Sequence, residues 1–291
     1  MSGPLAVRVA GIGLWAPRLP GWALACDVLH GRAEPPGAPL PRVAPALLAP
    51  TERRRAPDTV AIALEAAARA CEMAGIAPAS IPSVFASTHG DLPISDYMCA
   101  TLAATPRLLS PTKFHNSVHN AAAGYWTIGT GCVQASTALT AWGDTFASGL
   151  LEAAVQAVAD ATPVLLVAYD VAARGPMATV THSENLLAVA LVMLPDGPGA
   201  GASGTLPPGS AGASRGLRIA LHGGHIDALA TDADVAGPWA GLLAGNAMLP
   251  CLPLMAALAR SPAASLRMAA GRGSHLELQL EAAPLDGMDT P

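Results

Sequence analysis

Residues Leu187 to Leu194 read LAVALVML with no polar side chain among them, and Val164 to Tyr169 (VLLVAY) are almost as apolar. Runs this short and this oily are read as strands buried on both faces, and a strand with no face for water needs helices above and below it. The rest of the chain supplies such helices. Val60, Leu64, Ala67 and Cys71 recur at helical spacing between Asp58 and Gly75, with Asp58 as a candidate cap and Gly75 as the stop. Asp144 to Ala159 reads as a second long helix. Alternation of strands and helices at these lengths predicts an α/β layered fold.

Around this frame, Ala6 to Trp15 is a first strand ending at Pro17 and Pro20, and Ser83 to Thr88 (SVFAST) is a short buried strand. Ser95 to Thr105 reads as a helix closed by Pro106. A further helix is expected from Ser117 through Trp126, and a strand rich in Thr and Ala from Ser136 to Ala141. Pro35 to Pro50 is an extended surface loop, and Arg53, Arg54 and Arg55 after it read as a solvated turn. Asp196 to Gly216 is almost wholly Gly, Pro, Ala and Ser, too polar and flexible to offset its ordering entropy, and reads as a linker. Beyond it come a strand at Leu217 to His222, a loop bearing Asp227, Asp232 and Asp234, a helix around Leu242 to Arg260 interrupted by Pro250 and Pro253, and a strand at His275 to Glu281. The expected organisation is therefore 1–195, a linker at 196–216, and a smaller portion at 217–291.

At 291 residues the chain is long enough to bury a core without disulfide or metal staples. Hydrophobic residues make up 52% and charged residues only 13%, leaving little charge for the surface and pointing to a face covered by a partner. A net charge of −5 offers no field for nucleic acid or anionic lipid. The 5 cysteines are scattered without a CxxC pair, which argues against a disulfide framework or zinc ribbon and fits a reducing cytoplasm. No uninterrupted apolar run has membrane-spanning length, and the N-terminus lacks a basic region followed by an apolar segment, so a soluble, non-exported protein is expected.

Three motifs invite chemistry and fall short of it. Gly11, Gly13 and Ala16 have dinucleotide-fingerprint spacing, but Pro17, Pro20 and Gly21 deny the helix whose N-terminus would hold a pyrophosphate. His115 and His119 stand four apart on one helical face, yet Asn116 follows where a zinc protease carries glutamate; a dimer contact or buried backbone partner suits them better than metal. Ser148 precedes Gly149, but Phe146 replaces the first glycine of GxSxG. Asp144 reads as a helix cap favoured by the dipole. No metal and no cofactor is expected.

The stretch Ser110 to Gly149, SPTKFHNSVHNAAAGYWTIGTGCVQASTALTAWGDTFASG, resembles the central segment of β-ketoacyl synthases. Asn120, Ala123, Gly124, Thr127, Ile128 and Gly131 match its first part, and Ser136 begins the strand that leads to the nucleophile. The resemblance puts the nucleophilic cysteine's slot at Gly143, which has no side chain to acylate. A thiolate there would be favoured by the helix N-terminus and its adjacent amide; Cys132, in the turn before the strand, is not positioned to replace it. The two C-terminal histidines of the family also lack counterparts, since no His-Gly-Thr or Gly-His motif surrounds His222, His225 or His275, and roughly 75 residues follow the linker where a full half needs far more.

Phe114, His115, Asn116, Val118, His119, Tyr125 and Trp126 are similar to a short synthase-like subfamily of aryl polyene and related pigment clusters, regarded as chain length factors. The resemblance implies a thiolase-type α/β/α/β/α fold with a near-complete first half and a reduced second half. It implies a non-catalytic subunit in the cytoplasm, paired as a heterodimer with an active β-ketoacyl-ACP synthase and meeting acyl carrier protein through that complex. Asp91, Leu92, Ile94, Tyr97 and Met98, with His115, Asn116, His119, Asn120, Trp142 and Asp144, are then candidates for lining the acyl tunnel or the interface. Ser136, Thr137, Ala138, Leu139, Thr140 and Ala141 are candidates for the strand that crosses the dimer axis. Two other readings remain open: an independent acyltransferase or decarboxylase using Asp144, His115 or His119, and a homodimeric scaffold.

Overall fold

The structure is a computed structural model that describes residues 3–181, 183–196, 214–224, 237–260 and 262–283. Its strands are β1 (Leu5–Trp15), β2 (Ser83–Ala86), β3 (Ser136–Leu139), β4 (Val164–Asp170), β5 (Leu187–Pro195), β6 (Arg215–Gly223), β7 (Ala264–Ala269) and β8 (Ser274–Leu280). They form one mixed sheet in the order β3-β2-β4-β5-β1-β6-β8-β7. β2 runs parallel to β3 and β4, and the other pairings are antiparallel. The helices of the first 160 residues are α1 (Trp22–Leu29), α2 (Pro50–Arg55), α3 (Asp58–Ala74), α4 (Leu92–Ala104), α5 (Pro111–Asn116), α6 (Ala121–Thr130) and α7 (Thr145–Ala159).

The two apolar strands do what their composition requires. Leu165, Val167 and Tyr169 of β4 and Ala188, Ala190 and Val192 of β5 face α3 and α6, where Phe85 meets Trp126 and Tyr169 with ring centroids 6.4 and 6.3 Å apart. The alternate residues Val164, Leu166, Ala168, Val189 and Leu191 face α7, α1 and the C-terminal helix Leu252–Ala259. Each buried aliphatic side chain contributes about 1.5–3 kcal/mol, which makes this double-sided burial the main source of stability. The expected layered α/β class is thus present. Its reduced second half takes the form of three strands, β6, β8 and β7, that extend the same sheet beyond β1.

Gly11 and Gly13 are packing residues. A Cβ on them would sit 2.0 Å from Ala70 O and 1.9 Å from Ala66 O, so their absence of side chain lets α3 lie against β1. α3 ends where expected, at Gly75 with φ 67°, but Asp58 is not its side-chain cap. The cap position falls on Pro57, and Asp58 pairs with Arg42 at 3.1 Å instead.

Other boundaries shift for local reasons. α4 starts at Leu92, ahead of the expected Ser95, because Asp91 caps it by accepting from Ile94 N at 2.8 Å and Pro93 suits a first turn. The helix expected from Ser117 begins later, as α6 at Ala121, after the turn Ser117 to Asn120; α5, ahead of that turn, was not anticipated. His115 and His119 therefore do not share a helical face. Arg53 to Arg55 form the end of α2, where cations suit the helix C-terminus. The interrupted helix expected over 242–260 is present as a short turn Leu249–Cys251 and the helix Leu252–Ala259, with Pro250 and Pro253 in their first turns; a separate short helix, Pro238–Leu242, ends where that segment was expected to begin. β7 and α1 have no counterpart in the sequence reading. β6 already begins at Arg215, inside the expected linker; residues 197–213 of that linker, and Asp227, Asp232, Asp234 and His225, lie outside the described residues.

Candidate functional site

The site predicted from sequence centres on the passage from β3 into α7. β3 is an edge strand, paired only with β2 among the described residues, and it alternates exposed and half-buried positions: Ser136 and Ala138 outward, Thr137 and Leu139 partly covered. It stops at Leu139, two residues short of the expected Ala141, because Thr140 turns its hydroxyl to Thr88 O at 2.9 Å. The chain then makes a tight turn, Trp142 to Asp144, before α7 begins.

Trp142 holds φ 55°, a left-handed conformation unusual for a bulky side chain, and its ring is 67% exposed, edge-on to His89 with centroids 5.3 Å apart. Gly143 follows, exposed, with no atom within 4 Å of where a Cβ would stand. Asp144 occupies the cap position but makes no side-chain cap bond, contrary to the expectation. Thr145 instead fixes the preceding turn: its hydroxyl accepts from Ala141 N at 3.0 Å and donates to Trp142 O at 2.7 Å.

No cysteine stands at this helix entry. Cys132 is buried at the opposite end of β3, its thiol directed at Ile81 O at 3.5 Å. Burial pushes the Cys71 thiol up to about 12 and the Cys26 thiol up to about 11, and raises Cys251 further, so these three are held protonated. His222 and His275 stack with centroids 5.5 Å apart on β6 and β8. β6 lies five strands from β3, roughly 24 Å at the usual strand spacing. They cannot assist chemistry at Gly143. Among the described residues no cluster of three or more His, Cys, Asp or Glu is arranged to hold a metal.

The remaining candidates divide. Asp91, Ile94 and Asn116 line one open cleft of about 720 Å³, together with Pro17, Val171 and Leu186. Asp91 and Asn116 also join His119 around a cavity of about 10 Å³ next to it, room for a single water. His119 Nε2 lies 2.8 Å from Ser87 O, and His115 is edge-on to Tyr125 at 6.2 Å. Leu92 is buried under α4; Tyr97 accepts from Ser110 N at 3.2 Å; Met98 is half-buried; Asn120 stands at the α6 cap without a side-chain bond. Asp91 also accepts from the Thr59 hydroxyl, and burial raises its carboxyl above the usual range despite these donors and the Lys113 charge.

Sequence reasoning missed Asp170. This wholly buried carboxylate ends β4 and accepts from Ser87 Oγ at 2.9 Å, Thr88 N at 3.0 Å and His89 N at 3.3 Å, which fixes the loop that carries His89 to Trp142. The signal was available: an acidic residue closing an otherwise apolar strand.

The family model described as Beta-ketoacyl synthase, N-terminal domain, matches residues 29–208, well over half of the chain. No curated protein sequence matches the chain significantly. Among solved structures, the ketosynthase ApeO in complex with its chain length factor ApeC from Xenorhabdus doucetiae is similar at TM-score 0.66 and 19% identity, over 94% of this chain and 99% of that one. AntDE:AntF, a type II PKS acyl-carrier protein in complex with its ketosynthase, gives TM-score 0.68 and 11% identity over 97% and 100%. The ishigamide ketosynthase/chain length factor gives 0.63 and 14% over 95% and 99%. At these identities the likeness is one of fold.

Proposed function

Because the chain belongs to the β-ketoacyl synthase N-terminal domain family, we propose that it is a non-catalytic chain-length-factor subunit, working beside an active β-ketoacyl-ACP synthase. The observation that carries this reading is Gly143 at the entry to α7, where there is no side chain to acylate and Cys132 is turned to Ile81 O at the other end of β3. A condensing enzyme forms a thioester to a cysteine held at a helix N-terminus, then needs an electrophilic environment for the enolate released by decarboxylation. This chain keeps the strand, turn and helix that would present such a group, and lacks the group.

Pairing is supported by the surface around β3. The strand has an open edge of uncharged residues, and Val133 (92% exposed), Ile128 (73%) and Trp142 flank it. Apolar side chains this exposed, beside unsatisfied strand N–H and C=O groups, are stabilised by a partner. In the proposed pair the synthase supplies the nucleophile, and acyl carrier protein delivers substrate to it. This chain contributes wall: Ile94 and its neighbours fill volume that a growing acyl or polyene chain would otherwise occupy.

Co-expression with a ketosynthase encoded beside it tests the proposal. The expected result is a 1:1 complex that condenses malonyl units on acyl carrier protein, with no turnover by this chain alone. Turnover of malonyl- or acyl-carrier protein by the isolated chain would favour an independent acyltransferase or decarboxylase. A stable homodimer indifferent to the synthase would favour a scaffold.

A further inference from the structure

The cleft of about 720 Å³ is lined by Arg42, Arg54, Arg55, Lys113 and Arg174, five of the chain's 16 basic residues, against only Asp58 and Asp91. Such a cluster is unexpected in a chain of net charge −5, because like charges repel unless an anion sits among them. Arg42 is committed to Asp58 at 3.1 Å and Arg55 to Glu52 at 3.4 Å. The other three are not neutralised among the described residues. Among the described residues Arg54 reaches only the Thr51 hydroxyl at 3.5 Å, Lys113 lies 4.8 Å from the Tyr97 ring and makes no ion pair, its charge felt only at a distance by Asp91, and Arg174 has no side-chain hydrogen bond or ion pair.

Two further features describe what would fill the space. The walls between the cations are apolar, with Pro17, Ile94, Val171 and Leu186. On the same lining, Asn116 is 3% exposed; its amide nitrogen donates to Arg55 O at 2.9 Å, and its Oδ1 is buried without a hydrogen-bond partner. A buried acceptor left open costs about 1–3 kcal/mol, so a donor from water or ligand is expected there. The volume is that of a small-molecule pocket.

We propose that this cleft binds an amphiphilic oxyanion: an apolar chain ending in a carboxylate or phosphate, with the head group held by Arg54, Lys113 and Arg174 and the chain against Ile94, Val171 and Leu186. Planar guanidinium groups match both head groups, and the apolar walls match the chain.

Calorimetric titration of the purified full chain with decyl phosphate, decanoate and decanol, each below its micelle concentration, tests this. Saturable 1:1 binding of an anion, at least tenfold tighter than decanol, is expected; the tighter of the two anions identifies the head group. The double variant Arg54→Gln, Arg174→Gln should weaken anion binding at least tenfold without moving the thermal midpoint, while Arg272→Gln, in the exposed turn between β7 and β8, should leave it unchanged. Absence of saturable binding, equal binding of the alcohol, or an unaffected double variant would overturn the proposal. No synthase takes part, so a chain that fails to pair and a cleft that fails to bind are separate results.

Discussion

In the proposed role, Gly143 stands where a condensing enzyme would carry its nucleophile, and it has open space around it. Since nothing lies within 4 Å of a built Cβ, Gly143→Cys should fold with an unchanged thermal midpoint and expose a thiol that iodoacetamide alkylates. It should still not condense acyl groups by itself, with His222 and His275 five and six strands away from β3; condensation by the isolated variant would contradict the non-catalytic reading. Ile94→Ala removes bulk from the cleft wall, and a product at least one unit longer from the synthase pair is expected by mass spectrometry. Asp91 gives a pH signature. Its folded carboxyl is raised by burial, so it holds a proton more tightly folded than unfolded. Its stabilisation is complete below the usual carboxylate value of about 3.9 and is lost as pH rises through the raised folded value. Urea titrations should therefore show wild type losing stability relative to Asp91→Asn as pH rises from about 3 towards 7.

Among the elements, β3 is the one whose edge asks for company. Ala138 points outward from it, so Ala138→Lys should leave the chain's own stability within about 0.5 kcal/mol while weakening capture by a synthase at least tenfold in pull-down titrations. How much of this was legible depended on how strongly each element declares itself. β4 and β5 were readable because unbroken apolar runs admit few other placements, and α3 and α7 because their apolar positions repeat at helical spacing. β7 escaped because ASLRMA is exposed at three of its six positions and carries an arginine, a weak pattern that only its pairing with β8 makes a strand. α5 escaped because Asn116 alone among its residues is buried, and the start of α6 was placed too early because SVHN carries no proline or glycine; His119 is drawn out of helical register by Ser87 O. Of the candidate site, the order β3, turn, α7 was legible. The convergence of basic residues from α2, α5 and the segment after β4 on one cleft was not, because residues distant in sequence meet there.

At the scale of the whole molecule, the three C-terminal strands are tied on by Arg215. Only 5% exposed, its guanidinium donates to Ala257 O at 2.6 Å, Pro262 O at 2.8 Å, and the Arg260 and Glu281 carbonyls, linking the start of β6 to the helix Leu252–Ala259 and the end of β8. Arg215→Gln strips most of these donors and should cost about 3 kcal/mol, seen as a lower urea midpoint and as faster proteolytic cleavage near residue 260. The same layout governs how the molecule comes into being. β1 bonds on one side to β5 and on the other to β6, partners whose sequences begin at Leu187 and Arg215. On the ribosome, β1 waits for the whole stretch between Trp15 and Leu187 to be made before either neighbour exists. During that interval the nascent protein carries a sticky, half-made sheet, and a waiting subunit or chaperone at the tunnel exit would set its yield as much as its final stability does.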